Sequence, residues 1–376
     1  MSNILGKNIT LTLFGESHGD AVGAVLDGMP CGIEVSEAYI AEALSKRRPS
    51  GSGETARVEK DSFKIVSGVF EGFTTGEPIC IIIENSNTRS ADYDANRFLA
   101  RPSHADFVSH IVHQGYEDWR GGGHFSGRLT APIVALGAIC AKALENVGVK
   151  VGTHILSCGG VQDDKFCDTD DAALDKQIDA LAAKHFPVLK DDVEGQMKTA
   201  IEAARMNQDS IGGIIQTAIN HLPVGIGEPW FGSLEGQLAN AMLSIGGIKG
   251  IEFGMGFGFG AQGSTGRSCN DEFYNEGGTI KTRTNNNGGI NGGYSNGMPV
   301  VFNCAVKPTP SIAAEQHTVD LATGENATIK VTGRHDPAII RRICPVVTAM
   351  TAIVICDALK SAFSNLIFEK DETAGS

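Results

Sequence analysis

The stretch Ile9–Leu26, ITLTLFGESHGDAVGAVL, decides how the chain begins to fold. Ile9, Leu11 and Leu13 alternate with polar neighbours, the two-residue period of a half-buried strand, and Gly15 ends the run. A second apolar run, Ala21 to Leu26, closes at the turn pair Asp27-Gly28. Together they predict a hairpin with the loop Gly15–Gly19 at its tip. Taken alone, Gly15-Glu16-Ser17-His18-Gly19 matches G-x-S-x-G, the elbow that exposes a nucleophilic serine, and would make Ser17 the centre of a serine hydrolase. An elbow leads from a strand into a helix, however, and Asp20 to Leu26 reads as another strand. Two glycines that admit a ligand close to the backbone, with His18 between them, suit a cofactor loop better.

Outward from this hairpin, Ser36 is placed to cap a helix to about Arg48, in which Ile40 and Leu44 share a face and Pro49 is the stop. Lys60–Phe70 and Pro78–Glu84 read as strands. Pro102 and Ser103 open a predicted helix to about Tyr116, with Phe107 and Ile111 stacked at i,i+4. Leu129–Val147 is apolar nearly all round, as a helix buried in a large core must be. Asp168–Ala183 instead carries Leu174, Ile178 and Leu181 on one face and predicts a surface helix. Later strands are expected at Gly212–Ile219, Gly250–Phe259, Met298–Val306 and Thr328–Thr332, and helices at Leu234–Ile245 and Val346–Ala362. Mixed α and β is the class, and no linker divides the 376 residues, so one domain is expected.

Composition narrows the function. With 41% hydrophobic and 20% charged residues the chain can bury a large core. Its net charge of -13 repels nucleic acid and anionic membranes, so any anionic ligand needs a local basic pocket. No signal-peptide pattern opens the chain, and its longest apolar run, Ala131–Ala141, is short for a bilayer; a cytoplasmic enzyme without a membrane partner is expected. Nine cysteines, odd in number and without a C-x-x-C pair, predict neither a zinc site nor a complete disulfide framework. Cys80, Cys140 and Cys356 lie in apolar runs and read as reduced core residues.

Basic residues gather in glycine-rich or helix-terminal settings: Arg47, Arg48, Arg101, Arg120, Arg128 and Arg334. Any one arginine is more often solvated surface than ligand contact. As a group they suit a ligand with several negative charges, because guanidinium groups bind phosphate and carboxylate bidentately. The run Gly121-Gly122-Gly123 followed by Ser126 at a helix start is a ready anion site. Lys307-Pro308-Thr309-Pro310-Ser311 and Gly333-Arg334-His335-Asp336-Pro337 are each weak signals, readable as a strand exit and a capped turn.

Taken in order, Gly15–Gly19, Arg47-Arg48-Pro49, Arg101 through Asp106, Gly121 through Arg128, Lys307 through Ser311 and Gly333 through Pro337 resemble chorismate synthase, over about residues 4–365, with 366–376 as a tail. The resemblance implies an α+β sandwich with helices packed between antiparallel sheets, and a homotetramer. It implies a lyase that converts 5-enolpyruvylshikimate 3-phosphate to chorismate and phosphate by 1,4-elimination, the last step of the shikimate pathway. Reduced FMN is the implied cofactor, with NADPH or an external flavin reductase as the source of electrons. The substrate's phosphate and two carboxylates, and the phosphate of FMN, account for the arginines.

Carried over by position, His18 would serve the reduced flavin's proton balance, His104 would protonate departing phosphate and Asp336 would assist deprotonation near the flavin. Arg47, Arg48, Arg101, Arg128 and Arg334 would clamp substrate anions. FMN contacts would fall on Arg47, His124, Phe125, Ser126, Gly246, Gly247, Gly292, Lys307, Pro308, Thr309, Pro310, Ser311 and Arg334. No metal is expected. The family often has Arg and Glu where this chain has His124 and Leu129, and Asn-Ala where it has Gly246-Gly247. The loop after Arg48 is also shorter, so Ser50–Glu54 is expected to close differently over substrate. A non-catalytic flavin or phosphate carrier is the further alternative to the hydrolase.

Overall fold

The computed structural model describes residues 3–49, 61–85, 97–331 and 336–363. Readings that fall on Arg334, His335, Thr332, Ser50–Glu54 and the tail 366–376 lie outside the described residues.

The opening hairpin forms as its alternation requires. Strand β2 (Thr10–Gly15) pairs antiparallel with β3 (Ala21–Asp27), in a register that sets Gly15 opposite Val22. With β1 (Ile4–Leu5), β4 (Phe63–Ser67) and β5 (Ile79–Glu84) they make a five-stranded antiparallel sheet in the order β1-β2-β3-β5-β4. The predicted strand Lys60–Phe70 breaks at Gly68, whose positive φ turns the chain into a small hairpin at Val69–Phe70 and Phe73–Thr74.

A second antiparallel sheet follows: β6 (Lys150–Cys158), β7 (Val161–Gln162), β8 (Gly213–Asn220), β9 (Ile248–Phe253) and β10 (Val300–Val306), in the order β9-β10-β8-β6-β7.

Between the sheets lie α3 (Thr130–Asn146) and α7 (Ile340–Phe363). Helix α3 packs on β3 and β5, α7 packs on β6 and β8, and the two helices pack on each other. The order sheet, helix, helix, sheet is the sandwich expected. Both long helices lose their outer apolar surface to a sheet, which is why they are apolar all round. By length and composition alone Arg120–Asn146 and Ile340–Phe363 could cross a membrane, but they are 78% and 83% buried inside the protein. Their approach is close: a Cβ on Gly137 would stand 2.4 Å from the Ala349 Cβ.

Around this centre, α1 (Glu37–Arg47), capped by Ser36 as expected, packs on both core helices. Helix α2 (Asp106–Val112) is shorter than predicted. Its first residue, Asp106, turns back to accept hydrogen bonds from the Arg101 backbone and guanidinium, so 101–105 is a turn with Ser103 at φ +58; Gln114 and Gly115, also at positive φ, end it.

Helix α4 (Asp171–Ala182) covers the outer face of the second sheet through Leu174, Ile178 and Leu181, as predicted. Helices α5 (Asp191–Met206) and α6 (Leu234–Ser244) complete the described helices of eight or more residues. One buried carboxylate ties the layers: Asp357 on α7 accepts from the backbone N–H groups of Lys7, Asn8 and Ile9 at 2.7–2.9 Å, satisfying a charge that would otherwise be costly to bury.

Candidate active site

The tip of the β2–β3 hairpin rests on the glycine run. Gly121, Gly122 and Gly123 all have positive φ, and a Cβ on Gly121 would fall 2.2 Å from the His18 Cε1, so only glycine leaves room for the imidazole. Ser17 N–H donates to the Gly123 carbonyl at 3.2 Å, and the Ser17 hydroxyl reaches the carbonyls of Arg120 and Gly121 at 3.2 Å and the His18 Nδ1 at 3.1 Å. Ser17 is 1% exposed and its loop joins two antiparallel strands. A nucleophile elbow needs the opposite on both counts, an open hydroxyl and a following helix.

The His124 Nδ1 lies 2.8 Å from the Gly15 carbonyl and its Nε2 3.2 Å from Asn3 Oδ1, so this ring braces the loop from below. Phe125 beside it is exposed and Ser126 caps the Arg128 N–H.

Arg47 and Arg128 meet over a residue the sequence did not single out. Asp61, buried with a positive φ of 45°, accepts from Arg47 Nη2 at 3.0 Å and forms a short ion pair with Arg128 Nη1. Burial alone would raise the Asp61 pKa, but the charges of Arg47 and Arg128 and their hydrogen bonds outweigh it and hold the carboxyl below its ordinary value. Two guanidinium groups thus converge on one buried carboxylate inside a chain of net -13.

Asn85 joins this cluster to the hairpin tip. Its Nδ2 donates to the carbonyls of Glu16 and Gly19, both at 2.9 Å, while its Oδ1 accepts from Arg128 Nε at 3.1 Å.

Arg101 and His104 lie on the other side of the glycine run. A Cβ on Gly122 would be 3.7 Å from Arg101 Nη2, and the Arg101 guanidinium is held bidentately by Asp106 at 2.7 Å. His104 Nε2 lies 3.1 Å from the Ser311 hydroxyl, and Lys307 Nζ donates to the Ser103 carbonyl at 2.8 Å. The segment 307–311 thus supports the turn that presents His104. Burial and the nearby Lys249 push the Lys307 pKa down. Lys307 N–H also bonds the Gly247 carbonyl at 2.9 Å, bringing the Gly246-Gly247 turn to the same place. Gly292 is not brought there. It sits at the tip of a hairpin whose Gly293 carbonyl accepts from Leu234 at the start of α6, whereas Gly246-Gly247 follow the other end of that helix, about 16 Å away at 1.5 Å per residue.

Asp336 pairs with Arg342, and its neighbour Pro337 accepts from Ile211 N–H at 2.8 Å; the adjacent Ser210 hydroxyl donates to the Thr309 carbonyl at 2.6 Å. The Asp336 and 307–311 segments therefore meet just before the start of β8. Arg48 is half-buried beside Arg47, with a weak 3.5 Å bond to the Ala41 carbonyl.

Two atoms test whether a flavin suits this set. Among the described residues the Thr309 Oγ1 and the Arg48 Nε are buried without a hydrogen-bond partner, which is costly unless a ligand supplies one. Both lie on residues assigned to anionic or flavin contacts by resemblance, so the donor set fits. Among the described residues no group of three or more His, Cys, Asp or Glu is placed to hold a metal ion, and all nine cysteines carry free thiols. Cys140 and Cys356 are core residues as predicted, whereas Cys80 is only half-buried. A separate cavity of about 450 Å³ opens between α1, α3, α4, β6 and α7, lined by residues such as Tyr39, Val134, Leu144, Ile178 and Thr348, and contains none of the predicted site residues.

Fold and site define an α+β protein that gathers arginine, histidine and glycine around the hairpin tip and the glycine run. This chain belongs to the chorismate synthase family, whose model matches residues 9–359. A protein named chorismate synthase from Methanocella arvoryzae is 43% identical over 362 residues, covering 96% of this chain and 94% of that one. Another of that name from Dehalococcoides mccartyi is 43% identical, with 95% and 96% covered. A crystal structure of chorismate synthase superposes with a TM-score of 0.75 at 29% identity, covering 95% of this chain and 93% of its own. Membership makes the chain an enzyme of the lyase class.

Proposed function

We propose that this protein eliminates phosphate from 5-enolpyruvylshikimate 3-phosphate to give chorismate, with reduced FMN as cofactor, in the cytoplasm. The observation that carries the reading is the buried Arg47–Asp61–Arg128 cluster, which Asn85 ties to the loop that carries His18, in an acidic protein. The reaction breaks the C–O bond to phosphate and removes one ring proton, with no net change in oxidation state. Reduced FMN, when bound, would supply electron density towards the breaking bond and a site for the departing proton.

The protein's own groups then bind, orient and move protons. Arg47, Arg48, Arg101, Arg128 and Arg334 hold the anions; His104, presented on the turn that Ser311 and Lys307 support, protonates the leaving phosphate. His18 on the glycine cradle and Asp336 serve proton balance near the flavin. His124, Phe125, Ser126, Gly246, Gly247 and Lys307 through Ser311 line the cofactor. The partner-free Thr309 hydroxyl supports that assignment.

The deciding experiment is anaerobic incubation of the protein, chemically reduced FMN and the enolpyruvyl substrate, with phosphate and chorismate measured together. Equal yields of both are expected. FMN binding without phosphate release would leave a carrier, and labelling of Ser17 by a serine-directed probe would restore the hydrolase. NADPH as sole reductant in the same assay separates self-reduction from dependence on an external reductase.

A further inference from the structure

We propose that Arg342, in the first turn of α7, is a positioning residue that fixes the Asp336 carboxylate against the end of α1 and so sets the spacing between the proton-handling and anion-clamping walls of the site. The proposal rests on the chorismate-forming reading and adds to it a residue that touches neither substrate nor flavin. Arg342 Nε donates to the Arg47 carbonyl at 2.8 Å, while its Nη1 makes a short ion pair with Asp336. One planar guanidinium therefore spans two residues 289 positions apart in the chain, as 336 minus 47 gives.

Its neighbour repeats the contact. Arg341 donates from Nη1 to the Lys46 carbonyl at 2.7 Å and from Nη2 to the Arg48 carbonyl at 2.6 Å. Three successive carbonyls at the end of α1 are thus bonded by two adjacent arginines. The last carbonyls of a helix have no partners of their own and carry its negative pole, so cations belong there. A general electrostatic cap would not need this arrangement, since Lys46 and Arg47 already make the last turn of α1 basic.

What Arg342 adds is geometry. Arg47 holds Asp61 on one side of its backbone and is itself held by Arg342 on the other, so any shift of α7 moves Asp336 and Arg47 together. Lysine cannot reproduce this, because a single ammonium lacks the fork that reaches both acceptors in one plane.

The test compares Arg342→Met and Arg342→Lys. A misplacement on the scale of 1 Å costs on the order of a hundredfold in rate, and a loss of that size in kcat is expected for Arg342→Met, with KM for the enolpyruvyl substrate within about threefold of wild type. Arg342→Lys should recover part of kcat; it also carries the experiment if the methionine variant does not fold. In an Asp336→Asn background the Arg342→Met change should cost less than about twofold more, because both changes break one linkage.

Amide exchange supplies a readout independent of turnover: Arg342→Met should speed exchange at 45–48, in the last turn of α1, and leave 38–42 as in wild type. Additive losses in the double variant, equal falls in kcat and rises in KM, or faster exchange along the whole of α1 would each overturn the proposal in favour of a merely structural role. Failure of the wild-type protein to form chorismate would sink the functional reading, while the exchange pattern would still decide whether Arg342 holds this joint.

Discussion

Asp61 shows how much a single side chain decides here. Its carboxylate is the shared acceptor of two buried guanidiniums, and removing one partner of such a buried cluster costs about 3–5 kcal/mol. Asp61→Asn is therefore expected to lower the urea midpoint strongly at neutral pH. The sign of the pH dependence follows from the depressed pKa. A carboxyl whose folded value lies below its ordinary 3.8 contributes stability that is fully present above that value and lost as pH falls through the folded one. The gap between wild type and variant should thus stay level from pH 8 to about 5 and close only below about pH 4. A gap that widens or shrinks between pH 8 and 5 would mean that another group governs this cluster.

At the scale of elements, two glycines in helices make opposite predictions. Gly137 lies where α3 crosses α7, and an added methyl would stand 2.4 Å from the Ala349 Cβ and 2.6 Å from its Cα. Helix propensity favours alanine over glycine by about 1 kcal/mol, but overpacking a dense core costs roughly 1–3 kcal/mol, and backbone cannot step aside as a flexible side chain could. Gly137→Ala should be net destabilising. Gly195 in α5 is exposed with nothing within 4 Å of its would-be Cβ, so Gly195→Ala should stabilise by about 0.5–1 kcal/mol. Urea unfolding of the two variants checks both signs, and equal signs would show that the crossing is looser than the structure has it.

The same scale explains what was legible in advance. The hairpin β2–β3, the cap at Ser36 and the core helix α3 carry local signals, an alternation, a side-chain acceptor and an unbroken apolar surface. Strand β6 carries none: it is buried on both faces, with Gly152, Thr153 and His154 inside it, so no alternation marks it. Helix α5 was equally silent, burying little beyond Val193, Met197 and Ala204 on a highly charged helix. Helix α7 begins six residues before its expected start at Val346, with Pro345 inside it, because Ile340, Ile343 and Cys344 gain burial in the core. In the site, motif-borne residues could be read from the chain. Asp61, Asn85 and Arg342 could not, since each gains its role only when distant segments meet.

At the scale of the whole molecule, the surface argues for assembly. Helix α2 carries Phe107 and Ile111 at the i,i+4 spacing, and Phe107, Val108, Ile111 and Val112 are each more than half exposed, with Tyr116 just beyond more exposed still. Isolated exposed apolar residues are ordinary, but two adjacent helical stripes of them, next to exposed Phe125, are a surface that another chain should cover. The homotetramer implied by the resemblance gives that surface a use. Light scattering should then return a mass four times 39.6 kDa. Phe107→Glu with Ile111→Glu should give a smaller species of unchanged circular dichroism, because charge in an apolar contact is costly while the same side chains are already in water in the single chain. Asp106, which orients Arg101, lies on this helix, so dissociation should also lower turnover at protein concentrations where wild type remains assembled. A wild-type mass of one chain would sink the tetramer. A double variant that remains tetrameric would move the contact to the exposed apolar group of Val224, Trp230 and Phe231 at the start of α6 and uncouple assembly from Arg101.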